Sequence, residues 1–302
     1  MTSFSGKNEI SLLITDSGLG GLSVCADIVE NLKKYRPFGH AKLTYFNAWP
    51  EQNRGYNLLP DMNERIRVFN RALIGMEKFK PDMIMIACNT LSTIYPKTEF
   101  SRNTKTPVMG IIDTGVEIIS KEMASQPGSR VIILGTPATI ESDAHRKALI
   151  EKGIPDERII LQPCDKLAGE IEKDPASEAV VSMIDRYIGE ASIKAVNRTL
   201  PVIAAFCCTH YGYSHDVFMD KLKKYFEAQI TILNPNKEMS ETIFKDGVAG
   251  SQNDIRIDLE VVSRIILSDE KIASISRILE ASSPMTADAL RNYRHDPDLF
   301  TF

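Results

Sequence analysis

The sequence predicts an α/β protein of two similar halves built on mostly parallel sheets. Short apolar runs alternate with longer amphipathic stretches, the pattern of βαβ units. Runs without polar alternation, such as "VIILG" (Val131–Gly135), fit strands covered on both faces. A weak internal repeat pairs "LLITDSG" (Leu12–Gly18) with "IILGTPA" (Ile132–Ala138), and "IMIACNT" (Ile84–Thr90) with "AAFCCTH" (Ala204–His210). The spacing from Asp16 to Cys88 equals that from Thr136 to Cys208.

Taken in order, "EISLLITD" (Glu9–Asp16) reads as a buried strand and "GGLSVCADIVENLKKY" as a helix. "KLTYFNA" is a second strand. "MNERIRVFNRALIGMEKF" carries Ile66, Phe69, Leu73 and Met76 at helical spacing. "DMIMIACNT" and "TPVMGIID" read as the third and fourth strands, and "RVIILGT" follows the polar break "SQPGSR". "AHRKALIEKG" is a helix stopped at Gly153. "ERIILQPC", "LPVIAAFCCT" and "AQITILNP" are further strands. In open α/β sheets ligands bind beyond the carboxyl ends of strands. Asp16-Ser17, Cys88-Asn89-Thr90, Thr136 and Cys208-Thr209-His210 all fall at such ends.

The 302 residues suit about two domains. A formal charge of −4 argues against a nucleic-acid partner, which draws on basic patches. No apolar run approaches the ~18 residues of a membrane span, and "MTSFSGKNEI" lacks a secretory signal's basic start and apolar core. The reading is therefore cytoplasmic, without a membrane partner. Five cysteines, Cys25, Cys88, Cys164, Cys207 and Cys208, are too few and odd in number for a disulfide framework.

Cysteine is by default a small buried hydrophobe, and Cys25, inside an amphipathic helix, fits that reading. Cys207 and Cys208 point to opposite faces of their strand, so one of them serves any given site. Cys88 and Cys208 stand apart because each is followed by polar residues at a strand end. Cys207, Cys208 and His210 have poor spacing for zinc, and no metal site is expected. No Cys-x-x-Cys motif and no phosphatase arginine follow the thiols. The "GLGG" stretch matches neither a P-loop nor GxGxxG spacing, and no cofactor is expected. A thiol hydrolase with Cys208 as nucleophile and His210 as base leaves Cys88 without a role. Two facing thiols suit inversion at carbon, one removing a proton and the other delivering one. Fixed hydrogen-bond donors would then stabilise the carbanion's charge.

At these residues the sequence resembles the glutamate racemases, in the cofactor-independent aspartate/glutamate racemase superfamily. "ITDSGLGGLSV" (Ile14–Val24), "IACNT" (Ile86–Thr90), "PVMGIIDTG" (Pro107–Gly115), "ILGTPATIESDAH" (Ile133–His145) and "CCTHY" (Cys207–Tyr211) follow that family's order over roughly residues 10–245. The resemblance implies two similar three-layer lobes, residues 1–112 with 229–302 and residues 113–228, with the active site in the cleft between them. It implies Cys88 and Cys208 as the acid/base thiols, Asp16 assisting Cys88 and His210 assisting Cys208. Glu172 would be the carboxylate near the second thiol, with Glu170 competing for that place. Ser17, Asn89, Thr90, Thr136 and Thr209 would hold the substrate. Each also has a plainer role: Asp16 as a helix N-cap, Ser17, Asn89 and Thr90 as turn or capping residues, Thr136 and Thr209 as caps of strand ends, His210 as a satisfied buried histidine and Glu172 as a solvated helix residue.

The sequence departs from the family in several places. Where the family has proline-tyrosine-glycine after its second strand, this chain has "WPEQNRGYN" (Trp49–Asn57), with Gly55 and Tyr56 reversed. His145 stands for a tyrosine and Gly212 for a proline. The stretch after about Lys245 is longer and ends in "YRHDPDLFTF", without an assignment. The expectation is a cofactor-independent racemase of an acidic amino-acid substrate, glutamate first, of the kind that supplies D-glutamate for the bacterial cell wall. Racemisation of aspartate, or a non-catalytic binding protein on the same scaffold, are the alternatives. A homodimer is carried over from the family.

Overall fold

The computed structural model describes residues 4, 6–195, 198–244 and 254–302; the end of the family resemblance near Lys245 lies outside them. In chain order the elements are β1 (Glu9–Asp16), α1 (Leu22–Tyr35), β2 (His40–Asn47), α2 (Met62–Glu77), β3 (Met83–Ile86), α3 (Asn89–Ile94), α4 (Phe100–Asn103) and β4 (Val108–Gly110). There follow α5 (Ile111–Ser125), β5 (Arg130–Gly135), α6 (Pro137–Glu141), α7 (Ala144–Glu151), β6 (Ile159–Pro163), α8 (Leu167–Lys173), α9 (Glu178–Lys194), β7 (Val202–Cys207), α10 (His215–Tyr225) and β8 (Ile230–Leu233). The chain then forms α11 (Pro235–Glu241), β9 (Arg256–Ser263), α12 (Asp269–Ser282), α13 (Pro284–Arg291) and β10 (Arg294–His295).

Two compact units result: Met1–Ile111 with Asn236–Phe302, and Ile112–Pro235. The first contains a six-stranded sheet in the order β10-β9-β2-β1-β3-β4, the second a four-stranded sheet in the order β6-β5-β7-β8. Every strand pairing in both is parallel. The internal repeat emerges as topology: β2-β1-β3-β4 and β6-β5-β7-β8 are the same order, second-first-third-fourth. In such an order the connections diverge between the first and third strands, which is where doubly wound sheets bind ligands.

One expected boundary moves. The expected boundary at residue 229 puts the strand at 230–233 in the first lobe. It hydrogen-bonds instead to β7, from Val202↔Ile230 to Ala205↔Leu233, so the chain leaves the second unit only after Pro235.

Local chemistry explains the elements. Asp61 caps α2 by accepting from the Glu64 amide at 2.9 Å, and α2 buries Phe69, Leu73 and Met76, while Ile66 packs half-buried beside them. Gly153, at φ +87°, adopts the left-handed conformation that stops α7. Alternation along β5 sends Ile132 and Leu134 into one core with α9 and α10, and Val131 and Ile133 into another with α5 and α7. The apolar run is thus the signature of a sheet covered on both sides.

Segment 49–57 is strapped down by residues far along the chain. The Gln52 side-chain amide donates to the Ile266 carbonyl at 2.8 Å and accepts from the Ile266 amide at 3.0 Å. Arg264 donates to the Pro50 carbonyl while its guanidinium lies over the rings of Phe300 and Phe302. Lys271 sits 5.7 Å from the Trp49 ring centre. Leu299 and Phe300 are buried, and the Leu299 carbonyl would stand 2.7 Å from a β-carbon at position 75, which only glycine avoids. Among the described residues, no helix is long and apolar enough to cross a membrane.

Candidate active site

In the first unit, β1 and β3 are hydrogen-bonded neighbours, with Thr15 opposite Ile86. Their ends therefore set Asp16 and Ser17 beside Cys88. The strand expected to run through Thr90 stops at Ile86. Cys88 becomes the N-cap of α3, its sulfur accepting from the Leu91 amide at 3.5 Å. Ser17 Oγ lies 3.2 Å from Cys88 Sγ. The Ser17 amide donates to Asp16 Oδ1 at 2.6 Å, which fixes the carboxylate. Asp16 does not cap α1, whose N-cap is Gly21 without a side-chain bond. Gly21 has a different necessity: a β-carbon there would fall 2.8 Å from Asp16 Oδ2 and 2.9 Å from Asp16 Cβ. Asn89 and Thr90 are buried on the first turn of α3.

Burial pushes the Cys88 thiol pKa far above its ordinary value, and the Asp16 charge pushes it further; the Ser17 hydroxyl and the Leu91 and Ser17 amides oppose them. Left in this state, Cys88 keeps its proton. Sequence reasoning noted Tyr56 in the altered segment but gave it no role; its ring packs edge-on to Phe69 with centres 6.2 Å apart, in the same buried cluster as Cys88. The available signal was an aromatic residue between Gly55 and Asn57 in a loop after a strand end.

In the second unit, β5 and β7 are the corresponding neighbours, with Gly135 opposite Cys207. Cys207 turns into the core with Val131 and Ile133, while Cys208 packs on the other side with Cys164 and Tyr211. Cys208 Sγ lies 3.5 Å from His210 Nδ1, and His210 Nε2 lies 2.7 Å from Glu172 Oε1. All three residues are buried, as is Thr209. Burial alone would lower the His210 pKa, but its bonds to Cys208 and Glu172 outweigh that and hold it well above the usual histidine range. These two partners thus favour the charged form of the His210 imidazole. Glu170, the competing carboxylate, pairs with Lys173 at 2.8 Å instead. Thr136 ends β5 and caps α6, accepting from the Thr139 amide at 3.3 Å, so its plainer role is filled.

The structure thus brings together Asp16, Ser17 and Cys88 in one unit and Cys208, His210 and Glu172 in the other, each group at its sheet's switch point. The family model for Asp/Glu/hydantoin racemases matches residues 24–243. The chain belongs to that family. It is an isomerase of the racemase class. Among its relatives, a glutamate racemase of Streptococcus pneumoniae is 28% identical over 197 residues, spanning 65% of this chain and 67% of that one. A glutamate racemase of Campylobacter jejuni is 26% identical over 235 residues, 76% of this chain and 82% of its own. In fold, a glutamate racemase isoform of Bacillus anthracis superposes with a TM-score of 0.67 at 20% identity, covering 91% of this chain and 94% of the other.

Proposed function

We propose that this family member racemises glutamate, interconverting the L and D forms by two-base proton transfer through Cys88 and Cys208. The observation that carries the reading is the duplicated arrangement: a thiol at the third-strand end of each unit, each with its own titratable partner. In the proposed direction from rest, Cys208 is the thiolate, balanced by the His210 imidazolium, and Cys88 is the thiol. Cys208 removes the α-proton and Cys88 delivers its own to the opposite face. For the reset, Cys208 loses its new proton to solvent by way of the His210–Glu172 pair, and Cys88 regains one from solvent by way of Asp16. Ser17, Asn89, Thr90, Thr136 and Thr209 hold the substrate's carboxylates and amino group. Glutamate is favoured because the relatives in S. pneumoniae and C. jejuni are glutamate racemases.

The altered segment Trp49–Asn57 favours a second reading, in which the substrate is another acidic amino acid such as aspartate. The test is exchange of the α-proton in deuterated water, followed by NMR for both enantiomers of glutamate and aspartate. Exchange with loss of optical activity on glutamate is expected, abolished by Cys88→Ala and by Cys208→Ala alike. No exchange on either amino acid would leave a binding protein. Retained turnover in Cys88→Ala would point to a one-thiol enzyme such as a hydrolase.

A further inference from the structure

Burial and the Asp16 carboxylate oppose the thiolate that the proposed role of Cys88 demands. The Ser17 hydroxyl at 3.2 Å, the Leu91 amide at 3.5 Å and the Ser17 amide offset them only in part. The same buried cluster holds a polar group with no present task. The Tyr56 hydroxyl is fully buried and has no hydrogen-bond partner among the described residues. Buried hydroxyls are normally paired, because leaving one unpaired costs stability. An exception in a packed cluster that also contains a nucleophilic sulfur calls for a use.

We propose that Tyr56 is a latent hydrogen-bond donor to Cys88, idle while the sulfur is protonated and engaged when the thiolate forms. The proposal rests on the reading of Cys88 as a proton-transfer thiol. Three features make the device workable. Tyr56 follows Gly55, whose missing side chain lets the Trp49 ring lie against it; a β-carbon there would sit 2.7 Å from the indole. Trp49 is pinned in turn, donating from Nε1 to the Glu51 carbonyl at 2.7 Å. The pair of hydrogen bonds between Gln52 and Ile266 holds the same segment from outside. The phenol ring is thus held on a braced loop. Among titratable groups, Asp16 at the end of β1 disfavours the thiolate, while burial and the Cys88 charge hold the Tyr56 phenol in its neutral form. A neutral phenol turned to donate would offset the carboxylate without adding a charge that must be removed when the roles of the thiols reverse.

Tyr56→Phe removes the hydroxyl and almost nothing else. A merely structural hydroxyl, bonded to something, would leave a less stable protein on removal; an idle one leaves stability equal or higher. The experiment measures three quantities on the full chain: melting temperature, the pH profile of iodoacetamide labelling at the Cys88 peptide by mass spectrometry, and the pH profile of kcat/KM. The expected result is a melting temperature unchanged or raised, a Cys88 labelling midpoint moved to higher pH, and, in the direction that uses Cys88 as the proton donor, a basic limb of kcat/KM moved the same way. Turnover should fall roughly 10–100-fold, the worth of one hydrogen bond to a charged group. An unmoved labelling midpoint, or a lowered melting temperature, would overturn the inference. Labelling needs no turnover, so a moved midpoint in a protein that exchanges no α-proton would reject the glutamate reading and keep Tyr56 as the donor.

Discussion

Cys88 and Cys208 follow equivalent strands, yet one meets a carboxylate and the other a protonated imidazole. The asymmetry makes separate predictions. Asp16→Asn keeps an oxygen for the Ser17 amide but removes the charge that raises Cys88. Labelling of Cys88 at neutral pH should therefore speed up while turnover drops by about two orders of magnitude, as for loss of a general acid or base. Opposite signs in the two assays are the check; parallel losses would mean that Asp16 only holds the loop. Glu172→Gln should lower the His210 pKa toward its ordinary value, read directly by imidazole NMR titration. The sign for stability follows. A histidine pKa raised by folding contributes stability that is complete below ~6.5 and lost as pH climbs through the folded value. The stability gap between wild type and Glu172→Gln should accordingly be widest in mild acid and narrow as pH rises, measured by denaturant unfolding across pH.

Elements hold these residues at fixed distances, and Gly21 shows how tightly. Gly21→Ala forces a β-carbon against Asp16 and within 3.2 Å of Ala87 Cβ, where strand ends leave no slack. Overpacking of this kind costs about 1–3 kcal/mol. Thermal melts should show that loss together with reduced turnover, since the displaced residue is Asp16. At this scale the sequence was partly legible. Strands β1, β5 and β7 could be read because both faces of each are buried, leaving an unbroken apolar run. Strand β9 is hard to read because Arg256, Asp258 and Glu260 alternate along it; Asp258 hydrogen-bonds His40 at 2.8 Å and Glu260 pairs with Arg294 at 3.4 Å, so polar contacts stand where side chains would be apolar. The end of β3 was misjudged for another reason. Asn89 and Thr90 suit a strand end or a helix start, and only Cys88 acting as a cap decides between them. Tyr56 is legible only as half of the reversed Gly55-Tyr56 pair; that its hydroxyl is buried beside the Cys88 cluster is a matter of packing, which spacing does not show. Glu172 could not be separated from Glu170 by spacing; burial beside His210 separates them.

At the level of the whole chain, the stretch that had no assignment is the clamp on segment 49–57. Removal of Asp296–Phe302 would strip two buried apolar side chains, Leu299 and Phe300, worth about 3–6 kcal/mol together. A large fall in melting temperature is expected, with KM rising more than the residual kcat falls; an unchanged KM would mean that the clamp serves stability alone. The shared strand order of the two units has a further outcome. Each sulfur's acidity is written in its own stretch of polypeptide, Asp16 and Ser17 for one, Glu172 and His210 for the other. Mutation can thus retune one proton donor while its counterpart keeps its strength. A lineage with that freedom can drift from symmetric inversion toward one-sided chemistry by small steps, without rebuilding either half.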